Sequence, residues 1–253
     1  MNPILEIKNV SKYFFDPKKN ITEAIGKLAF DIEENSFVTL VGPSGCGKST
    51  ILRCICGLME PTDGEVLFKN RKIIAPRKEI TLIFQEYSDS LLPWKSVLMN
   101  VTFVMKGKTD KNTKIEKAKE ILEKVGLEGF EDHYTWQLSG GMQQRLAIAR
   151  ALAYEAPILL MDEPFASVDA QTRTSLENEM LSIWKKFNKT ILFVTHDIDE
   201  AIYLSERVLV LSKRPSRVLK DINIELDYPR HHIRTRENKV FLEYKRLIYD
   251  LLQ

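Results

Sequence analysis

The densest chemistry in the chain lies at Gly42-Pro43-Ser44-Gly45-Cys46-Gly47-Lys48-Ser49-Thr50, which fits the phosphate-binding pattern G-x-x-x-x-G-K-[ST]. Its glycines allow backbone angles that a side chain would forbid, so successive N–H groups converge on phosphate oxygens. Lys48 supplies a cation for β- and γ-phosphates, and the Ser49 hydroxyl suits Mg²⁺. Two carboxylates, Asp162 and Glu163, close the apolar run from Ile158 to Met161. Beside a phosphate loop the first suits Mg²⁺ and the second suits activation of a water. A second apolar run, Thr190 to Thr195, leads into His196, and a third, Ile80 to Phe84, leads into Gln85. Leu138-Ser139-Gly140-Gly141-Met142 precedes a helical stretch, with Ser139 as its N-cap; it fits either a second phosphate-binding corner or a capped turn. The pattern predicts a chain that binds a nucleoside triphosphate.

These groups need a frame. Phe37 to Val41 has the character of a short buried strand, and Ile51 onward that of a helix whose N-terminus favours an anion. Four core strands would then end at the phosphate loop, Gln85, Asp162-Glu163 and His196. Ligands of open parallel α/β sheets gather at the carboxyl ends of strands, so these distant residues are expected to share one site.

Ahead of this frame, Leu5 to Val10 suggests a strand with imperfect alternation, and Leu28, Phe30 and Ile32 a cleaner one. Tyr13 and Phe14 fall in a polar stretch, Ser11 to Thr22, expected to be a loop. A ring there either stacks on a base or covers the sheet edge. Glu33 to Ser36 and Pro61 to Gly64 are turns, with a strand over Glu65 to Phe68. Tyr87 to Trp94 is loop-like, Val97 to Lys106 helical, and Lys114 to Val125 an amphipathic helix closed by Gly126. A helix over Gln143 to Tyr154 follows. The region from about Tyr87 to Glu155 is therefore expected to be a helical insertion into an α/β core.

Near the end, Arg207 to Ser212 and Arg217 to Leu226 flank a hairpin turn at Lys213 to Ser216. In the last segment, Glu237 to Leu252, Val240, Phe241, Tyr244, Leu247, Ile248 and Leu251 line one helical face. That face is expected to pack on the chain's own core rather than dock a partner.

Composition is that of an ordinary globular chain: 253 residues, 44% hydrophobic, 28% charged, formal net charge +2. No concentrated basic face points to nucleic acid. No apolar run approaches the roughly 20 residues that span a bilayer, and Met1 to Asn9 alternate and carry charge, unlike a signal-peptide core. Any link to a membrane is expected to run through a partner. Cys54 and Cys56, two apart on a helix, face different directions and with Cys46 are expected to be small buried thiols.

Taken together, the motifs resemble the ATP-binding cassette family, the ATPase subunits of ABC transporters, over nearly the whole chain. Gly42 to Thr50 matches its Walker A loop, Ile158 to Glu163 its Walker B strand and catalytic glutamate, Gln85 its Q-loop and His196 its switch histidine. Leu138 to Met142 matches the signature sequence and Ser167-Val168-Asp169 the D-loop. Phe14 falls where the family's adenine-stacking ring lies, with Tyr13 the alternative. Met142 stands where many members have Gln, Val168 where Leu is usual, and Asn35 where a turn Gly is usual. None of these departures touches a phosphate or metal ligand.

The resemblance implies a phosphate-loop, RecA-like α/β core with an N-terminal antiparallel β subdomain. The core would take residues 1–86 and 157–230, the helical subdomain 87–156, and a C-terminal tail 231–253, all within one ABC ATPase domain. It implies ATP as substrate and Mg²⁺ held by Ser49, Gln85 and Asp162. A homodimer would sandwich two ATP, with Ser139, Gly140 and Gly141 serving the other subunit's nucleotide and Asp169 as the D-loop aspartate. Transmembrane permease subunits at the cytoplasmic face of the membrane would be the partners, with a solute-binding protein engaged indirectly. More narrowly, Leu91-Leu92-Pro93-Trp94, the Met-containing signature and Lys213 to Arg217 resemble importers of the nitrate, sulfonate and taurine group; importers of thiamin-precursor pyrimidines are similar. A soluble ABC protein acting on DNA or ribosomes would usually carry a coiled-coil insertion or second cassette, which this sequence lacks. A non-hydrolysing scaffold would not need Glu163, His196 and Gln85.

Overall fold

The computed structural model describes residues 3–15, 17, 20–105, 107, 110–166 and 168–253, arranged around two sheets. In the first, β1 (Leu5–Phe15) and β2 (Ile21–Ile32) form a long antiparallel hairpin. With β4 (Asp63–Phe68) and β5 (Arg71–Lys72) the strand order is β2-β1-β4-β5. The second sheet contains β3 (Phe37–Val41), β6 (Ile80–Ile83), β7 (Ile158–Asp162), β8 (Thr190–Thr195), β9 (Arg207–Leu211) and β10 (Val218–Asn223). Its order is β10-β9-β3-β8-β7-β6, parallel throughout except for the β10–β9 pair.

β3, β7 and β8 are buried along their whole length, as uninterrupted apolar strands covered on both faces must be. The pleat divides their side chains. Val38, Leu40, Leu160, Leu192 and Val194 pack toward the antiparallel sheet and α1 (Lys48–Ile55). Phe37, Val41, Leu159, Met161, Ile191 and Phe193 join the core shared with most of the other helices.

The polar stretch holding Tyr13 and Phe14 is strand, not loop. Tyr13 pairs with Glu23 and Phe14 with Thr22. The alternation that would have marked this strand is lost because the register shifts three times between Ile7 and Tyr13, and Asn9 takes φ +50°. Each bulge moves the following side chains off the period-two pattern. Gly64 sits against this bulge, where a Cβ would stand 2.3 Å from the Asn9 carbonyl oxygen.

α2 (Val97–Val104), α3 (Lys111–Lys124) and α4 (Gly140–Ala153) pack on one another through Val97, Val101, Ala118, Leu122 and Leu146. Gly126, at φ +66°, follows α3, and Ser139 caps α4 by accepting from the Met142 N–H. α4 begins three residues before the expected Gln143, so both signature glycines lie in its first turn. Tyr87–Ser90 forms one 3₁₀ turn. Tyr87 and Leu91 point inward while Trp94 is 70% exposed, so only part of that apolar stretch is available for contact. Asn35 takes φ +64°, the left-handed position where glycine was expected.

α5 (Ala170–Phe187), α6 (Ile198–Leu204), α7 (His232–Arg236) and α8 (Lys239–Leu252) complete the chain. On α8, Phe241 and Ile248 are buried, but Val240 and Leu247 remain exposed. The predicted stripe is wider than the surface that α6 and β9 offer it, so only its central row is covered. The hairpin at Lys213 to Ser216 joins β9 and β10 as expected. Among the described residues, no helix is long and apolar enough to cross a membrane.

Candidate active site

The phosphate loop links β3 to α1. Its tip is a turn in which the Cys46 N–H donates to the Pro43 carbonyl at 3.3 Å, with Gly45 third in the turn at φ +74°. That is the position and sign that favour glycine in a type II turn. Gly47, at φ +113°, precedes α1, and a Cβ there would lie 2.9 Å from the Ala24 carbonyl oxygen on β2. No side chain caps α1, so its first-turn N–H groups are left for a ligand. Lys48 is buried; its Nζ donates to the carbonyls of Gly42 at 2.8 Å and Pro43 at 3.1 Å. Cys46, Cys54 and Cys56 are all buried, and burial pushes the Cys54 thiol up to about 11. They are packing groups.

Asp162 and Glu163 end β7 next to this loop. On a continuing strand the two side chains would point oppositely. The chain instead reverses at Glu163 itself, which adopts φ +45°. For a residue with a Cβ that conformation costs roughly 1–2 kcal/mol. The Glu163 N–H donates to the Val194 carbonyl on β8 at 2.9 Å, which holds the turn in place. As a result the Glu163 carboxylate lies 3.3 Å from Lys48 Nζ and 2.8 Å from His196 Nδ1. With a carboxylate as its partner, Nδ1 is the nitrogen that carries the proton.

Asp162 stays behind in the sheet edge, only 8% exposed. Burial raises its pKa, with the nearby Glu163 charge adding to the rise; hydrogen bonding to Ser49 and the Lys48 charge act against it. Its Oδ1 is buried and has no hydrogen-bond partner. An orphaned, desolvated carboxylate oxygen beside a serine hydroxyl fits the hard oxygen donor set of a Mg²⁺ ion.

A cleft of about 400 Å³ opens over these groups, lined by Ser44, Gly45, Gly47 to Thr50, Gln85, Glu163 and Arg214. The parallel order β3-β8-β7-β6 thus places the phosphate loop, His196, Glu163 and Gln85 at adjacent strand ends. Phe14 is not part of the cleft lining. It is 40% exposed on β1, paired with Thr22 and so two residues along β2 from the Ala24 that backs Gly47.

The signature residues stand elsewhere. At the start of α4, a Cβ on Gly140 would meet the Tyr87 hydroxyl at 3.4 Å and one on Gly141 the Thr172 methyl at 2.7 Å. Asp169 caps α5 close by, accepting from the N–H groups of Gln171 and Thr172; Ser167 lies outside the described residues. Ser139, Gly140, Gly141 and Asp169 therefore group together, and none of them lines the cleft.

Two groups near the site were not foreseen. Arg214 reaches the cleft from the β9–β10 hairpin; its stretch, Lys213 to Arg217, entered the narrower resemblance, but as a turn and not as part of the site. Gln144 is fully buried on α4 and donates to the Pro164 carbonyl, tying the signature helix to the turn after Glu163. A glutamine at a buried helix position was the available signal.

Comparison with known proteins gives the family. The profile of the family described as ABC transporter matches residues 25–166. An ABC transporter ATP-binding protein of Methanocaldococcus jannaschii, described as uncharacterized, is 49% identical over 98% of this chain and 91% of its own length. The aliphatic sulfonates import ATP-binding protein SsuB of Bacillus anthracis is 42% identical over 98% of this chain and 94% of its own. Among solved structures, a dimeric bacterial ABC transporter cassette superposes with TM-score 0.76 at 34% identity, covering 88% of this chain and all of that one. The same cassette in a post-hydrolysis state bound to ADP and Pi matches equally well. The chain belongs to the ABC transporter family and is an ABC-type ATPase.

Proposed function

We propose that the chain is the ATP-hydrolysing subunit of a solute importer and works as a homodimer at the cytoplasmic face of a membrane. The observation that carries the catalytic part is the position of Glu163, held between Lys48 and His196 at a cleft lined by the phosphate loop and Gln85. ATP binds through the loop backbone, Lys48, Ser49 and Thr50, with Phe14 against the adenine. Asp162, Ser49 and Gln85 hold Mg²⁺, which when bound neutralises charge on the β- and γ-phosphates. Glu163 takes the proton of the attacking water as its oxygen bonds to the γ-phosphorus and the bond to the β-phosphate oxygen breaks, giving ADP and phosphate. His196 orients the Glu163 carboxylate through Nδ1.

Because Ser139, Gly140 and Gly141 lie apart from the cleft, they serve the nucleotide of a second copy, and Asp169 accompanies them. The dimeric cassette structures support that assembly. The helical unit from about Tyr87 to Glu155 passes the motion to the permease. Trp94, Met99 and Phe103 are all exposed there, Met99 and Phe103 on one face of α2, and they offer an apolar docking surface.

The relatives named for aliphatic sulfonate import favour a small sulfonate as solute. The experiment is co-purification with the permease, followed by ATPase assays with binding protein loaded with an aliphatic sulfonate, taurine, nitrate or a thiamin-precursor pyrimidine. Stimulation by the sulfonate alone is expected. Stimulation by the pyrimidine alone would reassign the solute, and failure to recover any membrane protein would remove the importer reading.

A further inference from the structure

The β9–β10 hairpin makes a contact that none of the motifs requires. Ser216 is fully buried there; its N–H and Oγ each lie 3.2 Å from the Ala24 carbonyl, and its own carbonyl accepts from the Gly26 N–H at 3.0 Å. The Ala24 carbonyl is the one packed against Gly47, so the hairpin rests on the back of the phosphate loop. Ser212 closes the turn internally, accepting from the Arg217 N–H at 3.0 Å and lying 3.1 Å from the Pro215 carbonyl. From this frame Arg214 Nη2 donates to the Gly45 carbonyl at 2.7 Å, and the side chain lines the cleft with Lys48, Gln85 and Glu163.

Charge argues for a use beyond that bond. Lys48, the cation of the loop itself, is already paired with Glu163 at 3.3 Å, so much of its charge is offset within the site. A nucleoside triphosphate brings several negative charges to the same cleft. A guanidinium carries five N–H donors, and the bond to Gly45 employs one of them. Its planar fork also matches phosphate oxygens.

We propose that Arg214 is a second cation of the nucleotide site, binding the phosphate chain alongside Lys48, with the Gly45 carbonyl fixing where the guanidinium stands. This rests on the phosphate loop being the nucleotide site. The test is the affinity for a non-cleavable ATP analogue with Mg²⁺, measured by calorimetry at low and high salt in a chain that keeps Glu163. Arg214→Met is expected to bind about tenfold more weakly, the loss of one charge-assisted hydrogen bond. Its salt dependence should be shallower, because one screened charge is gone. Its unfolding temperature without nucleotide should be unchanged, and Arg214→Lys should recover much of the affinity. Arg214→Gln gives the same readout should the Met variant fold poorly. Parent-like affinity and salt dependence in the Met variant would overturn the proposal. So would equal weakening by Lys and Met with the parent's salt dependence, since that places the effect in the Gly45 contact and not in charge. Lys48→Ala is the control: loss of binding there with a normal Arg214→Met result removes only Arg214, whereas normal binding by Lys48→Ala removes the phosphate-loop reading itself.

Discussion

α1 begins behind a glycine-containing turn and α4 carries two glycines in its own first turn; both present first-turn N–H groups, yet their surroundings differ. At α1 no side chain caps the helix, Lys48 stands in the first turn, Glu163 and Gln85 line the same cleft, and Asp162 lies buried beside Ser49. At α4 the Ser139 hydroxyl already caps the helix, and among the described residues the atoms nearest to where a Cβ on Gly140 or Gly141 would stand belong to Tyr87 and Thr172. On the proposed reading, one helix N-terminus carries the machinery for cleaving a phosphate bond and the other only touches one. A glycine-rich helix start is therefore half a site, and its neighbours across the sheet decide whether it is the catalytic half.

The largest expected effect tests the α1 half. General-base catalysis contributes roughly 10²–10⁴-fold, so Glu163→Gln should lose hydrolysis by about that factor in a phosphate-release assay. Binding should persist, and the mutant should sediment as a dimer in ATP and not in ADP. Near-normal turnover would show that the contacts to Lys48 and His196 have another purpose. Next comes the division between the halves. Lys48→Ala and Gly140→Asp chains should each be inactive alone, and mixing them should restore part of the ATPase rate. No recovery on mixing, with dimerisation intact, would mean that α4 acts on its own chain's nucleotide.

A smaller effect concerns the rim of the cleft. Stacking on a base is worth roughly 1 kcal/mol, so Phe14→Ala should weaken ATP binding several-fold without altering the unfolding temperature. Unchanged affinity would transfer the role to Tyr13 or remove it.

A last effect, read in stability and not in activity, separates the supports of the two halves. α5, whose Thr172 abuts Gly141, also carries Glu177, fully buried and paired with Arg236 at 2.8 Å. Burial outweighs that partner and pushes the Glu177 carboxyl up to about 7 from its ordinary 4.5. An acid whose folded-state pKa is raised stabilises the fold fully below pH 4.5, and that contribution is lost as pH rises to about 7. Thermal unfolding across that window should therefore show a downward trend in the parent that is flatter in Glu177→Gln. An identical slope in both would assign the trend to other groups.

What was legible in advance had local causes. The phosphate loop, the Ser139 cap, the Gly126 terminus and the left-handed turn at Asn35 each depend on a few consecutive residues and on backbone angles those residues favour. The strand run at Tyr13 and Phe14 was missed because bulges erase the alternation by which a half-buried strand is recognised. The uncovered Val240 and Leu247 were missed because a helical stripe says which side is apolar and not how much of it a neighbour will cover.

The amino-acid order alone determined that a triphosphate loop, two carboxylates, a glutamine and a histidine each end a core element, because strand length and apolar runs are properties of contiguous residues. Tertiary structure alone decided that β6, β7 and β8 lie side by side next to β3, that the Glu163 carboxylate meets Lys48 and His196, and that Arg214 enters the cleft. The physical reason is that those outcomes depend on pairing between strands 32, 78 and 154 positions apart and on one strained backbone turn held by a hydrogen bond donated to β8. Such contacts form only when the sheet closes, and no local preference encodes them.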